Sequence, residues 1–233
     1  MKLAIFETLP QDPIGPRLGR VLDDGSVIDM NLALTIAEAG RRDPGAMALR
    51  TKWARDGVLG FIRGGRESDD AADRVIDLVQ SSREKGETLK GAKVTAVVHP
   101  AGGLRFRAPL PRPGKFVAIG FNFSDHIEEN PNKPRARYPM GFIQVPRAIT
   151  GHEAPIVHPR HTKEVDYEVE IAIVIGKGGK DIPAERAMEH VAGYTIFNDI
   201  SARDLQRGEM KFGMLFMGKN FDGFAPMGPH LVT

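Results

Sequence analysis

One stretch constrains this chain more than any other: Glu164-Val165-Asp166-Tyr167-Glu168-Val169-Glu170-Ile171-Ala172-Ile173-Val174-Ile175-Gly176. Side chains of a strand alternate between faces, so a period of two specifies an extended segment and excludes a helix. Val165, Tyr167, Val169, Ile171, Ile173 and Ile175 share one face. Glu164, Asp166, Glu168 and Glu170 share the other, followed by Ala172 and Val174. At roughly 3.3 Å per residue, Glu168 and Glu170 stand about 7 Å apart at Cα. Two carboxylates at that spacing can converge on one hard divalent cation, which would relieve their mutual repulsion. The pattern alone equally describes a strand with its acids in water and its hydrocarbon turned inward.

Asp199 follows the apolar run Tyr194-Thr195-Ile196-Phe197, at the end of a second expected strand. There it can complete a three-carboxylate site, or serve as an ordinary turn residue. Ser201 is the expected cap of a helix running through Arg207. On that helix Arg203 and Gln206 are three apart and share a face. Arg203 could fork onto a substrate carboxylate or a metal-binding acid. Upstream, the strand Phe116–Gly120 leads into a short helix that Ser124 or Asp125 can cap. It carries His126 and Glu129 at i,i+3. A Glu that accepts from one imidazole nitrogen frees the other to take a proton, which is what a general base needs. The same spacing also occurs on solvated helix turns. Lys219 precedes an aromatic, Gly- and Pro-rich turn, where it could stabilise an enolate or carboxylate oxygen. The other histidines (His99, His152, His158, His161, His190, His230) show no metal spacing and are expected at the surface or in loops.

The first 108 residues carry no catalytic constellation. Lys2–Glu7 is an expected strand, and Gly19–Val21 and Val27–Met30 flank the hairpin signal Asp23-Asp24-Gly25. Helices are expected from an Asn31 cap to Ala39, from Pro44, and from Ala71 to Ser82, where Ala72, Val75, Ile76 and Val79 recur at helical spacing. A small mixed α/β domain over residues 1–108, serving packing or dimerisation, fits this pattern. Nine of 17 prolines fall between Pro109 and Pro159, so irregular backbone opens the second domain, 109–233. The absence of cysteine removes disulfides, thiolate metal sites and thiol nucleophiles. A net charge of +2 argues against a nucleic-acid surface. No apolar run approaches a membrane span, and an acid at Glu7 comes too early for a secretory signal. A cytoplasmic protein is the expectation.

Taken in order, these segments resemble the fumarylacetoacetate hydrolase family. The matching residues are Ala118-Ile119-Gly120-Phe121-Asn122-Phe123-Ser124-Asp125-His126, Asp166-Tyr167-Glu168-Val169-Glu170, Ala192-Gly193-Tyr194-Thr195, Asn198-Asp199, Ser201-Ala202-Arg203-Asp204, Gln206, Lys219, Phe221-Asp222 and Gly228-Pro229. The resemblance implies an α+β, β-rich chain with a mixed β-sandwich roll as catalytic domain, usually dimeric. It implies Mg²⁺ or Mn²⁺ held by Glu168, Glu170 and Asp199, a water activated by His126 with Glu129, and Arg203, Gln206 and Lys219 on substrate or developing charge. The implied reaction is hydrolysis of a carbon–carbon bond in an acylpyruvate-like 2,4-dioxo acid. Decarboxylation, hydration or isomerisation of a related 2-oxo acid is the alternative, and a catalytically silent metal-binding module is another. The chain departs from the family pattern at Phe123, where Tyr is frequent, at Gln144, where many relatives have Lys, and at Asn220, where Ser is common. Relatives continue past Val232-Thr233, so a longer chain, or closure through a partner, is expected.

Overall fold

A computed structural model describes residues 1–9, 14–39, 43–91, 96–120, 122–123, 128 and 137–233. Among them run strands β1 (Lys2–Thr8), β2 (Arg17–Val21), β3 (Val27–Asp29), β4 (Val98–His99), β5 (Leu104–Arg107), β6 (Val117–Gly120) and β7 (Met140–Ile143). They continue with β8 (Ile149–Thr150), β9 (Val165–Asp166), β10 (Val169–Ile175), β11 (Val191–Asn198), β12 (Ser201–Ala202), β13 (Ala225–Pro226) and β14 (Leu231–Val232). The helices are α1 (Met30–Ala37), α2 (Pro44–Gly64), α3 (Arg66–Glu84) and α4 (Arg203–Met210). The chain is α+β, as expected.

The main sheet has the order β10-β11-β14-β1-β2-β3-β4, with β5 also paired to β1. It therefore runs across residues 108 and 109, and the short β14 links the carboxylate strand's sheet to β1. That junction needs glycine. A Cβ on Gly193 would stand 2.2 Å from the carbonyl oxygen of Val232. Three helices cover the other part of the sheet and bury Leu34, Leu49, Trp53, Phe61, Val75 and Val79 against Leu3, Leu18 and Ile28. α2 is broken at Gly57, whose φ of 56° favours glycine and whose Cβ would meet Ile5 at 2.4 Å.

Several expectations move. α1 starts at Met30, because Asp29 and not Asn31 caps it by accepting from the Leu32 N–H at 2.9 Å. α3 is longer than its apolar spacing, since Glu67 and Asp69 fill a favourable acidic first turn. Ser201 is not a helix cap. It pairs with Asp166 in the β12–β9 ribbon, and α4 begins two residues later. His99 and His190 are buried and not at the surface.

The alternating segment splits at Tyr167-Glu168 into β9 and β10, and its orientation is the main finding of the fold. Glu168, Glu170, Ala172 and Val174 turn inward and are half-buried. Tyr167, Val169, Ile171, Ile173 and Ile175 face outward and are 59–71% exposed, joined by Ile196 and Tyr194 from β11. The hydrocarbon ridge lies outside and the carboxylates lie inside, the reverse of a simple amphipathic strand.

Candidate functional site

The antiparallel β10–β11 register pairs Val169 with Asn198, so Glu168 and Asp199 face each other one step beyond the ladder. Two bonds fix this junction. The Asp199 N–H donates to the Glu168 carbonyl at 2.8 Å, and the Glu168 N–H donates to Asn198 Oδ1 at 3.1 Å. Asp199 is 4% exposed, a costly place for a carboxylate. Lys219, 2% exposed, answers it. Its ammonium donates to Asp199 Oδ2 at 2.9 Å and to Glu168 Oε2 at 2.7 Å. Burial pushes the Asp199 carboxyl above its usual range, with the Lys219 charge and the Gln144 amide pulling it back.

The first turn of α4 supplies a second cation. Arg203 Nε donates to Asp166 Oδ2 at 2.9 Å, and its Nη1 reaches Glu168 Oε1 at 2.5 Å and Gln206 Oε1 at 3.0 Å. Partial burial works against the guanidinium charge, but the bonds to Asp166 and Glu168 outweigh it and raise the Arg203 pKa. The same Arg203 bond holds the Asp166 carboxyl below its usual range. Glu168 is therefore held by a cation on each oxygen.

Of the residues singled out from sequence, Glu168, Asp199, Lys219, Arg203 and Gln206 form one connected cluster. Glu170 lies two residues along the same inward face, across from Phe197. Among the described residues, no group of three acidic or imidazole side chains is arranged to hold a metal. What converges is a pair, Glu168 Oε2 and Asp199 Oδ2, on a single ammonium. Two hard anionic oxygens aimed at one positive centre are the donor chemistry that Mg²⁺ or Mn²⁺ takes. His126 and Glu129 lie outside the described residues.

Two contributors were not singled out for these roles. Gln144 Nε2 donates to Asp199 Oδ1 at 2.7 Å. Glu209, on α4, accepts from the backbone N–H groups of Phe216, Met217 and Gly218 at 3.2, 2.7 and 3.0 Å. It thereby ties down the turn that carries Lys219. Gly218 packs so closely on α4 that a Cβ would stand 2.9 Å from the Gln206 nitrogen. The only sequence signal for Glu209 is an acid on the helix just before a Gly- and Met-rich turn. Replacing Glu209 with Ala should cost about 1–3 kcal/mol, because three donors lose a charged acceptor. Hydrogen exchange at Phe216–Gly218 should accelerate in that variant, and Glu209→Gln should restore part of the protection.

Comparison with known proteins gives three kinds of match. The family described as the C-terminal domain of fumarylacetoacetate (FAA) hydrolase matches residues 115–233. A mitochondrial oxaloacetate tautomerase from Bos taurus is 47% identical over 160 residues, covering 68% of this chain and 50% of that protein. A mitochondrial oxaloacetate tautomerase from Xenopus laevis is 46% identical over 234 residues, covering 100% of this chain and 62% of that protein. The solved fumarylacetoacetate hydrolase of Exiguobacterium antarcticum is 30% identical with a TM-score of 0.63, covering 100% of this chain and 66% of that one. The chain spans about half the length of the bovine and human relatives it matches.

Proposed function

Because the chain belongs to the fumarylacetoacetate hydrolase family, we propose that it interconverts the keto and enol forms of a small 2-oxo acid of the oxaloacetate kind. The carrying observation is the buried Lys219 ammonium wedged between Glu168 and Asp199, with Arg203 on the far side of Glu168. Such a site fixes two cations among the acids, where they can meet an enolate oxygen as it develops. The tautomerase relatives favour this reaction over carbon–carbon cleavage.

In this reading Glu168 and Asp199, with Glu170 along the strand, would hold Mg²⁺ or Mn²⁺. A bound divalent ion supplies Lewis-acid polarisation of the 2-oxo group. Arg203, anchored by Asp166 and Gln206, binds the substrate carboxylate. Lys219 stabilises charge on the enol oxygen. His126, the base expected from the sequence with Glu129 as its orienting partner, would move the proton between that oxygen and the neighbouring carbon. Hydrolysis of an acylpyruvate by water deprotonated at His126 is the second reading. It is favoured by the hydrolase of known structure, 66% of which matches this chain. The exposed ridge on β10 and β11 supports a homodimer, since hydrocarbon on that scale is rarely left in water. No described helix is long and apolar enough to cross a membrane, and the mitochondrial location in the relatives' names is theirs.

Following enol absorbance with oxaloacetate and with an acylpyruvate, with Mg²⁺ or with EDTA, separates these readings. Tautomerisation removes the enol signal from oxaloacetate without releasing pyruvate, and EDTA abolishes the effect. Pyruvate released from the acylpyruvate would establish hydrolysis instead. Turnover of neither substrate would refute both. Replacing His126 with Ala should remove turnover and leave Mn²⁺ affinity nearly intact. Undiminished turnover would exclude it as the base.

A further inference from the structure

Gln144 and Asn220 meet in space beside the acid pair. Gln144 follows β7 and is 1% exposed. Its backbone N–H donates to the Phe116 carbonyl at 2.9 Å, and its amide Nε2 holds Asp199 Oδ1 at 2.7 Å. Asn220 follows Lys219 directly, and its side chain grips the backbone on both sides of Gln144. Asn220 Oδ1 accepts from the Val145 N–H at 2.7 Å, and Nδ2 donates to the Ile143 carbonyl at 3.1 Å. The same Nδ2 donates to the Phe216 carbonyl at 2.9 Å, at the start of the Lys219 turn. The contacts close a ring: Asp199 to Gln144, through backbone to Asn220, by one peptide bond to Lys219, and back to Asp199.

The ring contains an apparent defect. Gln144 Oε1 is buried and has no hydrogen-bond partner among the described residues. A methionine of similar length would fill the space without stranding an acceptor, so the bond from Nε2 to Asp199 is what the amide adds. Its chemical property is neutrality. Asp199 already faces one ammonium on Oδ2. A second cation on Oδ1 would neutralise the carboxylate from both sides, whereas an amide fixes its orientation and leaves charge to share.

We propose that Gln144 and Asn220 are a coupled pair of positioning residues that set the affinity of the Glu168–Asp199 pair for a divalent cation. Asn220 fixes the backbone of Gln144, and Gln144 holds Asp199 through an uncharged donor. The proposal rests on the cation reading given above for this site.

The test is a calorimetric titration of the full chain with Mn²⁺ alone, for the wild type, Gln144→Lys, Gln144→Met, Asn220→Ala and the Gln144→Met/Asn220→Ala double variant. Gln144→Lys should weaken Mn²⁺ binding by about tenfold or more, because it sets a second cation against Asp199. Gln144→Met and Asn220→Ala should each weaken it by about three- to fivefold, and the double variant by no more than the worse single, since both break the same link. Wild-type affinity in Gln144→Lys, or a double variant that multiplies the two single effects, would overturn the proposal. Chemical unfolding of the same variants without metal forms a second cycle. Non-additivity of about fivefold in the unfolding constant supports the pairing, and additive effects defeat it. A wild type that gives no heat with Mn²⁺ would remove the cation reading itself. The affinity role falls with it, and the unfolding cycle then decides the pairing alone.

Discussion

Lys219→Met should unfold about 3–5 kcal/mol more easily than the wild type, because removing one partner of a buried ion pair strands the other. Methionine keeps the length and apolar body of the stem, so the loss reports the ammonium and little else. Asp199, 4% exposed, then keeps only the Gln144 amide of its two side-chain partners, and Glu168 keeps only Arg203. The pH dependence has a definite sign. Burial already raises the Asp199 pKa in the folded chain, so ionising this carboxyl opposes folding and its contribution is lost as pH rises. Without Lys219 the folded pKa rises further. The deficit of the variant, measured in EDTA by urea unfolding, should be largest near neutral pH and should narrow as pH falls and the carboxyl takes up its proton in both chains. Enol turnover should fall by on the order of 10²–10³-fold, the usual effect of deleting one donor to a developing oxyanion. Lys219→Arg should recover part of the stability, and less of the turnover, since a guanidinium does not fit a point-charge position. A urea midpoint equal to wild type at pH 7 would show that the ammonium is not holding the carboxylates together.

Trp53→Ala should produce a loss of similar size for an unrelated reason. Trp53 is 1% exposed, stacks on Phe61 with ring centroids 5.4 Å apart, and lies in the cluster formed by the helices and β1–β3. Its indole N–H donates to Ser68 Oγ at 3.1 Å, and Ser68 is fully buried at the start of α3. Truncation opens a cavity between α2 and α3 and removes that bond, at about 3–5 kcal/mol. For a chain of this length the thermal midpoint should drop by about 6–20 °C. Trp53 is the only tryptophan, so the transition must be followed by circular dichroism. Trp53→Phe, which keeps an aromatic ring but no N–H, should lose less than half as much. Well below its midpoint, Trp53→Ala should turn over substrate at the wild-type rate, which separates this core from the Lys219 cluster. A midpoint within 2 °C of wild type, as an approximate threshold, would show that the α2–α3 contact adds little.

How much of this was legible in the chain depends on the distance over which each signal acts. The period of two in β10, the helical spacing of Val75 and Val79, and the Pro44 helix start are local, and local rules read them. The inward direction of Glu168 is not local. It depends on Lys219, 51 residues later, and on Arg203 from another helix. A face of acids reads as solvated until the cations that balance it are placed. The Ser201 cap fails for the same reason, because pairing with Asp166 claims that residue for a strand before it can start a helix. Gln144 was visible only as a departure from a family pattern, with no role attached. The ring that gives it one closes through contacts spanning 55 and 75 residues.

The splitting of duties along β9 and β10 has a genetic consequence. From Tyr167 onward, odd positions furnish the outer hydrocarbon and the inner face opens with the acids Glu168 and Glu170, so the reading frame of the strand is itself functional information. Loss of one codon between Glu164 and Glu168 would move every later side chain to the opposite face. Tyr167 or Val169 would then be offered to Lys219, and glutamates would be offered to whatever covers the outer ridge. Loss of two codons would keep the parity and shift only the position. Length variation in this segment should therefore be inherited in steps of two residues, while the loops on either side drift one residue at a time.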